Sequence, residues 1–228
     1  MSPNQLRGYH RDNEICRLIE KLQALDTEQV SVLIFSGQKH GRRKAQERLK
    51  VLFDRGRLKR WRAAPESPYI YFTGKKHGRM DHLVALNWVY VWMVRSVKSW
   101  EEVYRWDTEQ DYGVLQADAF CAIRNTVTGK LRFWFVELDR AESGNLFDKV
   151  AKYNSLYDSE KYAGWWWADL ADRFPGILTV TTAAPRERII RGLVEKENAA
   201  GLEFQICLLE KLKGECLNEK AGNNSVAG

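Results

Sequence analysis

Residues 114–140 read VLQADAFCAIRNTVTGKLRFWFVELDR, two apolar runs on either side of Thr126-Val127-Thr128-Gly129. A turn of this composition between strand-like runs at 114–124 and 130–138 predicts a hairpin. Strand side chains alternate between faces, so Gln116, Asp118 and Phe120 share one face of the first strand. In the second, Glu137 and Asp139 fall on one face and Val136 and Leu138 on the other. Pairing through the turn gathers Asp118 and Glu137 at one end of a sheet. Carboxylates held together repel unless something neutralises them, and a divalent cation with hard oxygen ligands does so. The predicted metal ligands are therefore Asp118 and Glu137. Mg²⁺ held there would polarise a phosphate and activate water.

Working outward from the hairpin, apolar spacing predicts a helix over 81–97 and a strand over 100–106 before it. After it come a helix over 145–158, a strand over 176–182, a helix over 185–199 opened by its Pro, and a strand over 202–209. The order is α-β-β-β-α-β-α-β. Residues 214–228 are rich in Gly, Asn, Ser and Ala and read as a disordered tail. Trp165, Trp166 and Trp167 cannot all share one face, so at least one is expected to be partly exposed.

The chain before this domain reads differently. Ile15, Leu18, Ile19, Leu22 and Leu25 put an apolar stripe on a helix starting near Asp12. Asp26 caps a second helix through 29–35, and a third spans 41–53. Short strands at 58–61 and 69–72, joined by a Pro-containing turn, complete the order of a winged helix. The first 80 residues hold 18 basic and 8 acidic side chains, whereas the whole chain has a net charge of only +6. Between Lys39 and Arg62 there are 11 basic and 2 acidic residues. That run falls on the third helix and hairpin, the elements such a module offers to the major groove and to phosphates. Double-stranded DNA is thus the expected partner. Gln38, Lys39, His40, Arg42, Arg43, Lys44 and Gln46 would contact it from the helix start. Arg57, Lys59, Arg60 and Arg62 are suited to phosphates, which orient the protein without reading sequence.

The acid on one strand followed by Glu137-Leu138-Asp139 on the next, within this element order, is similar to the PD-(D/E)xK restriction-endonuclease-like fold. Across about residues 12–210 the chain resembles the replication-relaxation family of plasmids and related mobile elements. The stretches that carry the likeness are Gln116-Ala117-Asp118-Ala119, Phe135-Val136-Glu137-Leu138-Asp139-Arg140, and Lys149 and Lys152-Tyr153. The resemblance implies an α+β and α/β chain: a winged helix-turn-helix over 1–76, a nuclease-like αβββαβ domain over 77–213, and the tail. It implies work in replication or DNA relaxation, alongside replication or relaxation proteins of the same element. Asp139 stands where the nuclease motif has Lys, and an Asp cannot supply the positive charge that orients the attacking water. The candidate catalytic set is Asp118, Glu137 and Asp139, with Lys149 or Lys152 from the next helix in the lysine's place. The expectation is a DNA-binding protein whose nuclease-like domain is inactive. The alternative is a metal-dependent nickase or endonuclease targeted by its winged helix.

With 44% apolar residues, the composition excludes a disordered chain. Cys16, Cys121, Cys207 and Cys216 lie far apart without a zinc-site spacing, which points to a reducing compartment. No apolar run reaches membrane-spanning length, so a cytoplasmic protein without membrane contact is expected. The habit of winged helices to bind two-fold sites predicts a homodimer.

Overall fold

The capping of one helix shows how closely local sequence sets this structure, a computed structural model that describes residues 3–140 and 146–218. Asp26 accepts a hydrogen bond from the Gln29 backbone N–H at 2.7 Å, and the Gln29 side chain accepts from the Asp26 N–H at 3.0 Å. This reciprocal box starts α2 (Thr27–Phe35) where the sequence places it. Among the described residues the architecture is mixed α/β, with seven α-helices and two sheets. Two compact units divide them. One runs to Val91 and takes up the chain again from Gly214, and the other is Trp92–Lys213.

In the first unit, α1 (Pro3–Leu22) and β1 (Ala24–Asp26) precede α2, and α3 (Gly41–Asp54), β2 (Lys59–Trp61) and β3 (Ile70–Phe72) follow it. The strands form an antiparallel sheet with β3 in the middle. Helix α1 starts well before the expected Asp12. Its early residues Leu6 and Tyr9 are exposed, so no buried stripe marks them. Strand β1 was not expected either, because three residues carry no readable period. Helix α4 (Met80–Ser96) enters this unit through Asn87, the polar break in an apolar run. Its fully buried amide donates to Leu22 O at 2.9 Å and Ala24 O at 2.6 Å, which satisfies backbone groups where α1 ends.

In the second unit, β4 (Glu101–Asp111), β5 (Gln116–Asn125), β6 (Leu131–Asp139), β7 (Gly176–Thr181) and β8 (Phe204–Leu208) form one sheet in sequential order. Strands β4, β5 and β6 are antiparallel, whereas β6, β7 and β8 are parallel. The parallel pairs require crossovers. These carry α5 (Lys149–Asp158) and α6 (Ala184–Glu197). The hairpin turn is closed by the Asn125 side chain, which accepts from Val127 N and Thr128 N at 2.9 Å each. Strand β4 runs beyond the expected 100–106 because a register shift between Val103 and Arg105 lets pairing resume to Asp111. Phe120, Phe133, Phe135 and Ile177 pack with Tyr153, Leu156 and Trp167 as an apolar core. Trp167 is buried while Trp165 and Trp166 are half-buried. Behind the sheet the Trp134 ring covers Gly176, where a Cβ would lie 2.5 Å from it, so only glycine fits beneath the ring.

Two expectations about the C-terminal half need correction. The predicted helix start at Asn145 lies outside the described residues, and the described helix begins at Lys149. The tail expected from Gly214 instead begins inside a helix, α7 (Leu209–Asn218). Leu209, Leu212 and Cys216 are buried at helical spacing, a pattern that the glycine and charges between them hid. Residues 219–228 lie outside the described set.

Candidate functional site

The nucleic-acid face expected on the first unit starts at a tight junction. His40 takes a left-handed conformation (φ 61°), and Gly41 follows with no room for a side chain, since a Cβ would sit 2.7 Å from Phe35 O. The junction fixes the start of α3. From there Lys39, His40, Arg42, Arg43 and Gln46 are exposed, while Gln38 and Lys44 are half-buried. Not every cation is equally available. Lys44 donates to Gln38 Oε1 at 3.1 Å, and Arg48 pairs with buried Asp12. Arg42 and Arg43 have side chains 71% and 70% exposed and pair with Glu28 and Glu47, themselves 42% and 62% exposed. Such pairs contribute little and yield readily to a stronger anion.

The hairpin cations are more engaged. The Arg60 guanidinium is sandwiched 4.1 Å over Phe53 and 4.2 Å over Tyr69. Arg62 lies over Tyr69 and donates to Pro65 O, and Arg57 donates to Asn13 Oδ1 at 3.0 Å. Lys59 donates to Gly74 O at 2.6 Å. Arg60 is thus largely a packing residue of the hairpin, whereas Arg57, Lys59 and Arg62 remain exposed.

The acids converge in the second unit as the hairpin predicts. The β5–β6 register ends at Ala119 with Val136, and one further step sets Asp118 opposite Glu137 on the same face. Asp118 Oδ2 accepts from Leu138 N at 2.7 Å. Glu137 is 1% exposed, and α5 covers it. Tyr153 donates its hydroxyl to Glu137 Oε1 at 2.6 Å, and Lys149 Nζ lies 2.8 Å from Oε2. Lys149 also donates to Gln116 O at 2.6 Å. Lys152, four residues from Asp148, pairs with that residue at 2.6 Å, so of the two candidate lysines only Lys149 meets the acids. Burial, with the Asp118 charge, pushes the Glu137 carboxyl up to about 7, against the pull of Lys149. Tyr153, buried beside it, is held well above the ordinary phenol range and stays a proton donor.

Asp139 goes elsewhere. Arg186, in the first turn of α6, grips it with Nε to Oδ2 at 2.6 Å and Nη2 to Oδ1 at 3.0 Å. This guanidinium is the residue that the sequence reading missed, because nothing local links position 186 to the hairpin and only the parallel crossover brings them together. Thr179 and Thr181, paired in register with Glu137 and Asp139, are buried, and their hydroxyls find no hydrogen-bond partner among the described residues.

In this structure the oxygens expected to hold Mg²⁺ are engaged largely by the protein's own donors. Both Glu137 oxygens are taken by donors in a sealed position, one Asp118 oxygen is taken by a backbone N–H, and Asp139 is neutralised by Arg186. Among the described residues no group of three or more His, Cys, Asp or Glu could hold a metal ion.

The fork on Asp139 is nearly buried, with side chains 16% and 11% exposed. Arg186→Ala leaves that carboxylate unpaired, and the expected loss is about 3 kcal/mol in urea unfolding. Arg186→Lys keeps the charge but not the fork and is expected to lose less. A loss below about 0.5 kcal/mol, the level of an ordinary surface change, would assign the pair no structural weight.

Comparison with protein-family models, curated proteins and solved structures finds no match to this chain.

Proposed function

We propose that the protein is a sequence-recognising binder of double-stranded DNA in which the first unit acts as a winged helix. The second unit is a nuclease-like scaffold that does not cut. The observation that carries this reading is the start of α3, where Arg42, Arg43 and Gln46 stand exposed on a helix fixed by the Phe35–Gly41 contact and Lys39 is exposed just before it. Exposed arginines and a glutamine at a helix start suit phosphates and base edges. The sealed Glu137, with both oxygens engaged, supports a domain kept for its shape.

From the sequence resemblance to the replication-relaxation family alone, we propose that this binder belongs to a plasmid or related mobile element and acts in replication or DNA relaxation with partner proteins of that element. We further propose that it acts as a cytoplasmic homodimer. Among the described residues no helix is long and apolar enough to cross a membrane.

A second reading, a Mg²⁺-dependent nickase, draws on one contact. Lys149 reaches Glu137 from the following helix, the place from which a displaced motif lysine would come. One experiment separates the two. Purified protein is expected to shift duplex DNA in a gel and to leave supercoiled plasmid intact with Mg²⁺ or Mn²⁺. Nicking that disappears in Glu137→Ala, Asp118→Ala and Lys149→Ala would establish the nickase instead.

A further inference from the structure

The first unit carries a second basic element that the recognition helix does not explain. Strand β2 pairs with β3 so that Lys59 stands opposite Phe72, at the end of the hairpin away from its turn. There the chain leaves β3 as Thr73-Gly74-Lys75-Lys76-His77-Gly78-Arg79, four basic or imidazole side chains in seven residues. This loop is fastened to the strand. Lys59 Nζ donates to Gly74 O at 2.6 Å, and Lys76 Nζ lies 4.1 Å over the Trp61 ring. Farther along, the Arg79 N–H donates to His77 Nδ1 at 3.1 Å and turns the chain toward α4.

Fastening holds the Lys59 and Lys76 ammonium groups at this end of the hairpin, and Lys75 stands next to Lys76 in the same loop. All three residues are exposed, and among the described residues none has a carboxylate partner. Glu66 is the only acid between Arg55 and Arg79, and it lies in the turn at the other end of the hairpin. A charge cluster held in place by backbone and ring contacts, without carboxylates to neutralise it, is suited to a polyanion whose charges recur along a line. Held lysines also lose less freedom on binding than lysines on a free loop.

We propose that the Gly74–Arg79 loop, clamped to β2, is a separate phosphate-binding edge that grips the DNA backbone through Lys59, Lys75 and Lys76. It rests on the DNA-binding reading above and extends it from Lys59 of β2 to the loop lysines Lys75 and Lys76, which lie outside α3 and the hairpin strands. As point charges, these lysines would bind without regard to sequence.

The test measures binding of a short mixed-sequence DNA duplex to the full chain by fluorescence anisotropy across a salt series. Each lost phosphate contact reduces the slope of log K against log salt by about 0.9. Lys75→Ala with Lys76→Ala is expected to reduce it by about 1.8 and to weaken binding about 50-fold at 0.1 M salt. Lys75→Arg with Lys76→Arg keeps the charges and is expected to bind as the wild type does. An unchanged slope in the alanine pair, while Arg42→Ala with Arg43→Ala still reduces it, would overturn the loop assignment and leave the α3 interface standing. No salt-dependent binding by the wild type would overturn both.

Discussion

Lys149→Met is expected to cost about 3 kcal/mol of stability at pH 8 and much less at pH 5. The reason is the buried carboxylate it leaves behind. Glu137 is 1% exposed, and burial raises its carboxyl from the ordinary 4.5 to about 7 even with the Lys149 ammonium 2.8 Å away. An acid whose folded-state pKa lies above its unfolded one binds its proton more tightly when folded, so its contribution to stability falls as pH rises from about 4.5 to 7. Removing the ammonium raises the folded-state value further, and the fall then continues past pH 7. At pH 5 Glu137 is protonated in both proteins and the difference nearly closes. Unfolding in urea at the two pH values reads this directly, and Glu137→Gln in the Lys149→Met background is expected to recover most of the loss at pH 8. An equal loss at both pH values would mean that the lysine stem matters for packing and its charge does not.

This site also marks how far the sequence could be read. The hairpin, its turn and the meeting of Asp118 with Glu137 follow from period-two alternation and one Thr-Val-Thr-Gly turn, because strand faces and short turns are local properties. That Lys149, not Lys152, reaches the acids depends on where α5 starts. The expected helix began four residues earlier than the described one, and a shift of that size leaves open which lysine faces the sheet. The fork from Arg186 was beyond local reading, since residues 139 and 186 meet only because β6 and β7 pair in parallel with α6 crossing after them. Strand β1 and α7 escaped for a simpler reason. Three residues are too few to display a period, and in α7 the buried Leu209, Leu212 and Cys216 are separated by Lys, Glu and Gly. On the basic face, composition located the charge but could not sort it. Asp12 engages Arg48 across 36 residues, and Phe53 with Tyr69 engages Arg60 where the end of α3 and the hairpin fold together, contacts that composition does not reveal.

That sorting sharpens the prediction for α3. Replacing Arg42 and Arg43 by Ala is expected to weaken duplex binding about 50-fold at 0.1 M salt and to flatten the salt slope by about 1.8, two phosphates at about 0.9 each. Adding Lys44→Ala is expected to change little more, although the three lie side by side in sequence. Lys44 is half-buried and its ammonium is held by Gln38 Oε1, whereas both arginines are some 70% exposed and have only partly exposed carboxylates as partners. Those carboxylates give way because an exposed ion pair contributes about 0–1 kcal/mol. A phosphate that replaces one also releases condensed counterions. Stability is not at stake, since neither arginine contributes to the core. A matched thermal midpoint for wild type and variant would therefore assign the lost affinity to contact alone. If Lys44→Ala by itself flattened the slope as much as the arginine pair, α3 would present a different face to the DNA, one on which Lys44 leaves Gln38. If none of the three changed it, the backbone would be held by the hairpin edge and not by this helix.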